Sequence, residues 1–315
     1  MATSPSAARR ESSRDFRPFC ALLLCVVAAL LGSVELVVRL GLPRISKIEG
    51  RIALEYRSAL AIRHASGRSP NVLVVGNSWL LYGVDLPMLQ TSLAPNYSVR
   101  RCVIEQTSYL DWYYGMRALY SRGARPDVVV LFLNATDMAV NDLRGDFFAY
   151  RMMLLRDVLR ASRDAGLPPT QTFSLFLANF SYYYATRLET RKFLLSSLMP
   201  TFQTLRASII PAARPPLDSA SAVVTVAARL KQFDALVRTH AGRFIFVEAP
   251  TRRPRDESWA LEAAAKSGVP VIVPMPAASL HDSDFREDQE HLNESGAARY
   301  TAALTPLLRR SLNPK

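Results

Sequence analysis

Short apolar, β-branched runs alternate with longer segments of helical period along most of this 315-residue chain. Each run is bounded by turn-forming residues, and strands that alternate with helices are typical of a parallel sheet covered by helices on both faces. The predicted strands are 71–78, 97–104, 128–133, 244–250 and 269–275, and the predicted helices are 108–122, 221–240, 256–267 and 294–312. Five strands predict an α/β fold with a flavodoxin-like, doubly wound parallel sheet, whose active site lies beyond the carboxyl ends of the strands.

The stretch 143–220 interrupts this alternation between the third and fourth predicted strands. It contains aromatic and aliphatic clusters dotted with arginines, which predict a mainly helical insertion. Because helical spacing of apolar residues usually indicates core, a cap packed over the sheet is the simpler interpretation. The alternative is that basic amphipathic helices lie against a membrane or roof a substrate cleft.

The N-terminus carries an apolar run of 22 residues, 19–40, preceded by a polar, arginine-containing tail, 1–18. That length is enough to cross about 30 Å of hydrocarbon as a helix. No small-x-small cleavage site is well placed near Ser33, and Leu24 stands where a lipoprotein signal has a small residue before Cys25. An uncleaved signal anchor therefore fits best, with the tail in the cytoplasm and the body in the periplasm or outside the cell. Glu35 falls near one end of the run, with Arg39 one turn later as its partner.

These features divide the chain into the tail, the anchor, a basic helical connector over 41–70 and an α/β domain over 71–315. The net charge of +12 comes mostly from scattered arginines, without a zinc-finger spacing or an RNA-binding motif. We therefore expect a membrane surface or an acidic envelope polymer as the neighbour, and no nucleic acid. The three cysteines form no disulfide framework, and neither a metal-ligand cluster nor a phosphate loop is present, so we expect no cofactor and no metal.

Two short segments carry residues suited to nucleophilic catalysis. Ser78 follows Gly76-Asn77 at the end of the first strand, where a strand-to-helix turn projects a hydroxyl above the sheet. Asp288 and His291 have the spacing that lets a carboxylate orient an imidazole towards a nucleophile. Alternatively, the first segment is a turn chosen for its geometry and helix capping, and the second is a solvated pair in a densely charged loop.

Together, the serine after the first strand and Asp-x-x-His-Leu-Asn before the last helix resemble the SGNH (GDSL-like) hydrolase superfamily. The resemblance covers roughly 70–312 without the insertion. It implies the SGNH hydrolase fold and a catalytic triad of Ser78, His291 and Asp288. The anchor ahead of the domain is similar to the membrane-bound branch associated with O-acetylation or deacetylation of cell-surface polysaccharides.

The two middle blocks depart from the family pattern. No glycine stands in the stretch after the second strand, where the family has an oxyanion donor. In the third block, Asn134 occupies the glycine position and Thr136 the asparagine position. Backbone N–H groups around Gln106 or Thr107, or the Asn134 side chain, are the available substitutes. Loss of one such donor typically costs two to three orders of magnitude in rate.

The expected function is that of a membrane-anchored serine esterase or O-acyltransferase. Its substrates would be acyl, and above all acetyl, esters of an envelope polysaccharide or glycolipid, and other polysaccharide-assembly proteins are candidate partners. The alternative is a non-catalytic SGNH-like envelope protein with a binding or assembly role. A nucleic-acid-binding protein would require the body to lie in the cytoplasm.

Overall fold

In a computed structural model, the described residues are 16–67, 69–199, 201 and 217–313. Their central feature is a five-stranded sheet in which every neighbouring pair is parallel. The strands are β1 (Asn71–Gly76), β2 (Ser98–Val103), β3 (Val128–Leu133), β4 (Arg243–Glu248) and β5 (Val271–Ile272). Their order, β2-β1-β3-β4-β5, is the flavodoxin-like one and confirms the predicted α/β class.

Helices surround this sheet. The four helices predicted in the α/β domain each begin and end within a few residues of the predicted bounds. The α-helices of the described residues are α1 (Phe16–Ile45), α2 (Lys47–Leu60), α3 (Ser78–Gly83), α4 (Leu86–Leu93), α5 (Tyr109–Ser121), α6 (Ala135–Ala139), α7 (Asp146–Met152), α8 (Val158–Asp164), α9 (Pro169–Phe180), α10 (Tyr182–Leu198), α11 (Ser219–Thr239), α12 (Pro254–Ser267) and α13 (Glu294–Leu312).

Two apolar cores cover the two faces of the sheet. Along β1, Val72 and Val74 face one core, while Leu73 and Val75 face the other. Helices α3, α4 and α13 contribute to the first core, and α2, α5, α11 and α12 to the second. Burial on both faces explains why β1, β3 and most of β4 are continuous apolar runs rather than alternating ones.

Helix α1 is longer than the predicted anchor and includes it. Within its segment Pro18–Ile45, the mean hydropathy of an 18-residue window is 2.6, and the segment is long and apolar enough to cross a membrane. The carboxylate of Glu35 pairs with the Arg39 guanidinium at 2.8 Å, as the one-turn spacing predicts. Most of the tail, residues 1–15, lies outside the described residues.

The connector and the insertion both pack onto the α/β domain. In α2, Ile52 and Ala59 are buried in the core that also contains the α5 side chains. In α7, Phe148 lies so close to α5 that a Cβ built on Gly115 would be 2.9 Å from its ring. The insertion therefore covers α5 rather than the sheet itself. Its predicted end, 202–216, lies outside the described residues.

Gly76 allows β1 to end directly beside β3. A Cβ at this position would lie 2.3 Å from the carbonyl oxygen of Phe132, a backbone atom that cannot swing away. We expect Gly76→Ala to lower the free energy of unfolding by about 1–3 kcal/mol, the usual cost of overpacking a core. Denaturant unfolding in detergent, followed by circular dichroism, measures the change. The control is Gly67→Ala, where a Cβ meets nothing within 4 Å, and an equal effect of both substitutions would contradict the steric argument.

Candidate active site

Ser78 lies at the carboxyl edge of β1, the strand between β2 and β3. The strand ends at Gly76, and Asn77 caps α3 by accepting a hydrogen bond from the Trp79 N–H at 3.0 Å. Ser78 is therefore the first residue of α3, and its side chain remains partly exposed. This is the strand-to-helix turn that the sequence predicts.

The Asn77 side chain connects the three loops that follow β1, β2 and β3. Its amide nitrogen donates to the Thr107 carbonyl at 3.0 Å and to the Asp137 carboxylate at 2.9 Å. Asn77 is buried, so these bonds are shielded from competing water and hold the turn in place. The position of Ser78 therefore depends on contacts from two neighbouring loops.

A continuous chain of hydrogen bonds joins the three residues singled out in the sequence. The Nε2 atom of His291 lies 2.9 Å from the Ser78 hydroxyl oxygen, and its Nδ1 atom lies 2.8 Å from Oδ2 of Asp288. Oδ1 of Asp288 accepts the backbone N–H groups of Glu290 and His291, each at 2.9 Å. With Asp288 on Nδ1, the imidazole can present an unprotonated Nε2 to the serine.

The loop that carries Asp288 and His291 is tied at its base. Phe285 and Leu292 form an antiparallel bridge across it. Asn293 caps α13 through the Gly296 N–H at 2.9 Å, while its amide nitrogen donates to the Ser283 carbonyl at 2.7 Å. These bonds anchor the two ends of the loop to the domain and to α13.

Two aromatic rings from α3 flank the imidazole. The centroid of the Trp79 ring is 5.2 Å from that of His291, and the Tyr82 ring lies edge-on at 5.0 Å. The Arg286 guanidinium in turn stacks on Tyr82, 4.2 Å from its centroid. The ring of His291 is thereby held in a slot between α3 and its own loop.

The carboxyl of Asp288 is kept charged by its hydrogen bonds. Partial burial works to raise its pKa, but the backbone N–H and imidazole of His291, together with the N–H of Glu290, outweigh burial and lower the pKa below its ordinary value. Asp288 is therefore an anion at neutral pH.

The loop after β2 has the backbone conformation that glycine favours, although it contains none. Gln106 has φ of 60°, in the left-handed region that costs an L-residue roughly 1–2 kcal/mol. The glycine expected from the family pattern is thus absent in the sequence, while a left-handed turn is present in the backbone. Gln106 itself is exposed, and Thr107 is buried.

In the loop after β3, the two substituted positions differ in their contacts. Asn134 caps α6, its Oδ1 atom accepting the Asp137 N–H at 2.7 Å. Its amide nitrogen makes no hydrogen bond within the part of the chain that the structure describes. The Thr136 hydroxyl donates to Asp256 at 2.5 Å. Asn134 thus retains a free donor, whereas the hydroxyl of Thr136 is directed towards α12.

Two buried carboxyl groups, those of Glu248 and Asp256, accept hydrogen bonds from this segment. The Oε1 atom of Glu248, at the end of β4, accepts the Ala135 N–H at 3.1 Å, and its Oε2 atom is buried without a partner among the described residues. Burial, together with the neighbouring charge of Asp256, raises the pKa of Glu248 well above that of an ordinary carboxyl. Burial also raises the pKa of Asp256, against the hydrogen bond from Thr136. Burial therefore favours the protonated form of Glu248.

Surface clefts lie on either side of the His291 loop. One, of about 850 Å³, is lined by Arg286, Glu287, Asp288, Asn293, Glu294 and Ser295, and another, of about 270 Å³, lies between Tyr82 and α13. Neither is lined by the described part of the insertion, residues 143–199, 201 and 217–220. Within the described residues, no group of three His, Cys, Asp or Glu side chains is arranged to hold a metal ion.

Sequence reasoning identified Ser78, Asp288, His291 and Asn134 but missed the residues that support them. Asn77 was visible as a capping residue, yet its bonds to Thr107 and Asp137 join parts of the chain that are 30 and 60 residues away. Glu248 lies within the predicted strand 244–250, and a carboxyl in an otherwise apolar strand was the available signal.

Neither the family models nor the curated proteins contain a match to this chain. Among solved structures, TesA aligns with 76% of this chain and 98% of its own, at 14% identity and a TM-score of 0.40. The lipase Lip_vut3 from a goat rumen metagenome aligns with 76% of this chain and 97% of its own, at 9% identity and a TM-score of 0.38. These low scores transfer neither a substrate nor a residue's role to this chain.

The raised pKa of Glu248 predicts a pH-dependent stability. A carboxyl whose pKa is higher in the folded state stabilises the fold fully below its ordinary pKa, and this contribution is lost as pH rises towards the folded value. We expect Glu248→Gln, which keeps the acceptor for Ala135, to lose less stability than the parent as the pH rises above about 5, past the ordinary pKa of a carboxyl. Urea unfolding at a series of pH values measures the free energy of unfolding of each variant. The control is Glu262→Gln at an exposed ion pair with Lys266, and parallel profiles for parent and Glu248→Gln would refute the assignment.

Proposed function

We propose that this chain is a membrane-anchored serine esterase or O-acyltransferase that acts on ester-linked acyl groups. The observation that carries the proposal is the hydrogen-bond chain from Ser78 through His291 to Asp288. A serine, an imidazole and a carboxylate in this order, at the carboxyl edge of a parallel sheet, have the arrangement needed for acyl transfer through a covalent intermediate.

The first half-reaction forms an acyl-enzyme. Nε2 of His291 takes the proton of Ser78 as the serine oxygen bonds to the ester carbonyl carbon. Asp288 stabilises the imidazolium that results. When the tetrahedral intermediate collapses, the carbon–oxygen bond to the leaving alcohol breaks, and that alcohol leaves with the proton from His291.

The second half-reaction regenerates the serine. A water molecule or a sugar hydroxyl gives its proton to His291 and attacks the acyl carbon. The bond to Ser78 then breaks, and the serine recovers its proton from the imidazole. Water as acceptor makes the chain an esterase, and a sugar hydroxyl makes it a transferase.

The oxyanion of each tetrahedral intermediate needs hydrogen-bond donors. We assign this role to the backbone N–H of Ser78 at the start of α3, to the Asn134 amide nitrogen, and to N–H groups of the left-handed turn at Gln106–Thr107. The free amide of Asn134 and the φ of 60° at Gln106 support this set. Each such donor typically contributes about 2.7–4 kcal/mol to the transition state.

The proposed substrates are acyl, above all acetyl, esters of a cell-envelope polysaccharide or glycolipid. Partial exposure of Ser78 and the shallow clefts beside His291 suit a large substrate that lies across the surface. The apolar helix α1 suits a chain held beside envelope material, with other polysaccharide-assembly proteins as neighbours.

A second candidate function, binding without catalysis, is favoured by one observation. At the position where the family has an asparagine donor, the Thr136 hydroxyl is bonded to Asp256 instead. In that case the same surface would recognise an acylated glycan without turning it over.

Covalent labelling separates the two candidates. We expect a fluorophosphonate probe to label the parent protein and Ser78→Ala to abolish labelling, because the attacking oxygen is gone. His291→Ala should slow labelling by roughly 10⁴-fold or more, since the general base is lost. Gel fluorescence against time measures the rates.

The matched control is Ser295→Ala, an exposed serine in the cleft beside Asp288 that bonds Asn293 and not a histidine. It should label at the parental rate. A folded parent protein that remains unlabelled would reject the esterase and favour the binding role.

The proposed topology has its own test. We expect the N-terminus in the cytoplasm and the α/β domain in the periplasm or outside the cell. A C-terminal alkaline phosphatase fusion should then be active, because this reporter needs an oxidising compartment, while a C-terminal green fluorescent protein fusion exported the same way should stay dark. The reverse pattern would reject both envelope functions.

A further inference from the structure

The insertion is bonded directly to the apolar helix α1. The Glu35 carboxylate accepts the Ser181 hydroxyl at 2.8 Å and the backbone N–H groups of Tyr182 and Tyr183 at 2.8 and 2.9 Å. Glu35 of α1 therefore caps the N-terminus of α10. A helix is normally capped by the residue that precedes it in the chain, whereas this cap comes from a distant helix. Nearby, the hydroxyl of Tyr182 donates to Glu49 of α2 at 2.6 Å.

These bonds fix the depth of the insertion relative to a membrane. If α1 spans the bilayer from Pro18, the helical rise places Glu35 about 26 Å along the axis. The hydrocarbon core is about 30 Å thick, so Glu35 lies close to its outer boundary. The corner between α9 and α10, whose N–H groups bond Glu35, must lie at the same level.

The same corner exposes an apolar stripe. In α9, Leu175 and Ala178 are buried, while the opposite face exposes Phe173, Leu177 and Phe180 at successive helical turns. Phe173 and Phe180 are 63% and 68% exposed. Large aromatic side chains in such a row are costly to leave in water.

Charge around the stripe favours lipid as its occupant. Phe173 lines an apolar cleft of about 720 Å³ between α8 and α9, together with Leu159 and the guanidinium-bearing Arg163. Arginines that border aromatic and aliphatic side chains are typical of helices that lie in the headgroup region of a bilayer. The stripe ends at Phe180, and Ser181 and Tyr182, which follow it directly, are bonded to Glu35 of α1.

From these contacts we infer that the α9–α10 corner is a second membrane contact, with Phe173, Leu177 and Phe180 inserted into the outer lipid boundary. This inference rests on the proposed membrane span of α1. The α/β domain is then held against the membrane by two attachments in place of a single flexible tether. The active-site edge would keep a fixed orientation relative to the lipid surface.

Depth-dependent fluorescence quenching of the full chain tests the inference. In a Cys20→Ala, Cys25→Ala background, where the remaining Cys102 is buried, single cysteines replace Phe173, Phe180, Leu30 of α1 or Leu261 of α12. Each variant is labelled with an NBD fluorophore and reconstituted alone into phosphatidylcholine–phosphatidylglycerol bilayers that contain nitroxide-labelled lipid. Leu261 is the matched control because it is an exposed leucine, at 50%, outside the insertion.

We expect loss of NBD emission at Phe173 and Phe180 comparable to that at Leu30, and none at Leu261. Quenching at Leu30 without quenching at Phe173 and Phe180 overturns the inference and leaves the span of α1 standing; it is also the result expected if another protein covers the stripe. Absence of quenching at Leu30 refutes the span, and with it the depth argument for the corner.

Discussion

The site depends on the close approach of β1 and β3 at their carboxyl ends. Gly76 permits it, because any side chain there would collide with the Phe132 carbonyl. The chain can then turn at Asn77, whose buried amide bonds the loops after β2 and β3. Ser78 inherits its position from this junction. The nucleophile that we propose would lose its near-attack geometry if it stood on a flexible loop.

A second support acts from the other side of the site. The His291 loop is held by Asn293, which caps α13 and bonds the backbone of the loop at the same time. The imidazole is then confined by Trp79 and Tyr82 of α3. Ser78 and His291 are 213 residues apart in the sequence. Ser78 is the first residue of α3, and His291 packs against Trp79 and Tyr82 of the same helix. Helix α3 therefore positions both side chains.

Contacts between distant segments also link the α/β domain, through its insertion, to the apolar helix α1. Glu35, a charged residue in a segment otherwise suited to lipid, is satisfied by three donors of the insertion and by Arg39. A carboxylate in such a segment is expensive unless its oxygens are paired. The inserted helices therefore fulfil a structural need of α1, and the proposal of a two-point membrane attachment follows from this pairing.

Sequence alone determined the order of the five strands and of four helices of the α/β domain, because burial on both faces of a parallel sheet leaves apolar runs, and helices leave a different period. It also brought forward Ser78, Asp288 and His291, since strand ends and Asp-x-x-His spacing are local patterns. It did not predict the short helices α3, α4 and α6. It did not reveal that Gln106 adopts the left-handed conformation in place of a glycine, or that Glu248 supports the loop of Asn134. Those features depend on which loops meet at the edge of the sheet, and on burial that no local pattern records. Only the tertiary structure decided them, because contacts between distant segments arise when the sheet assembles.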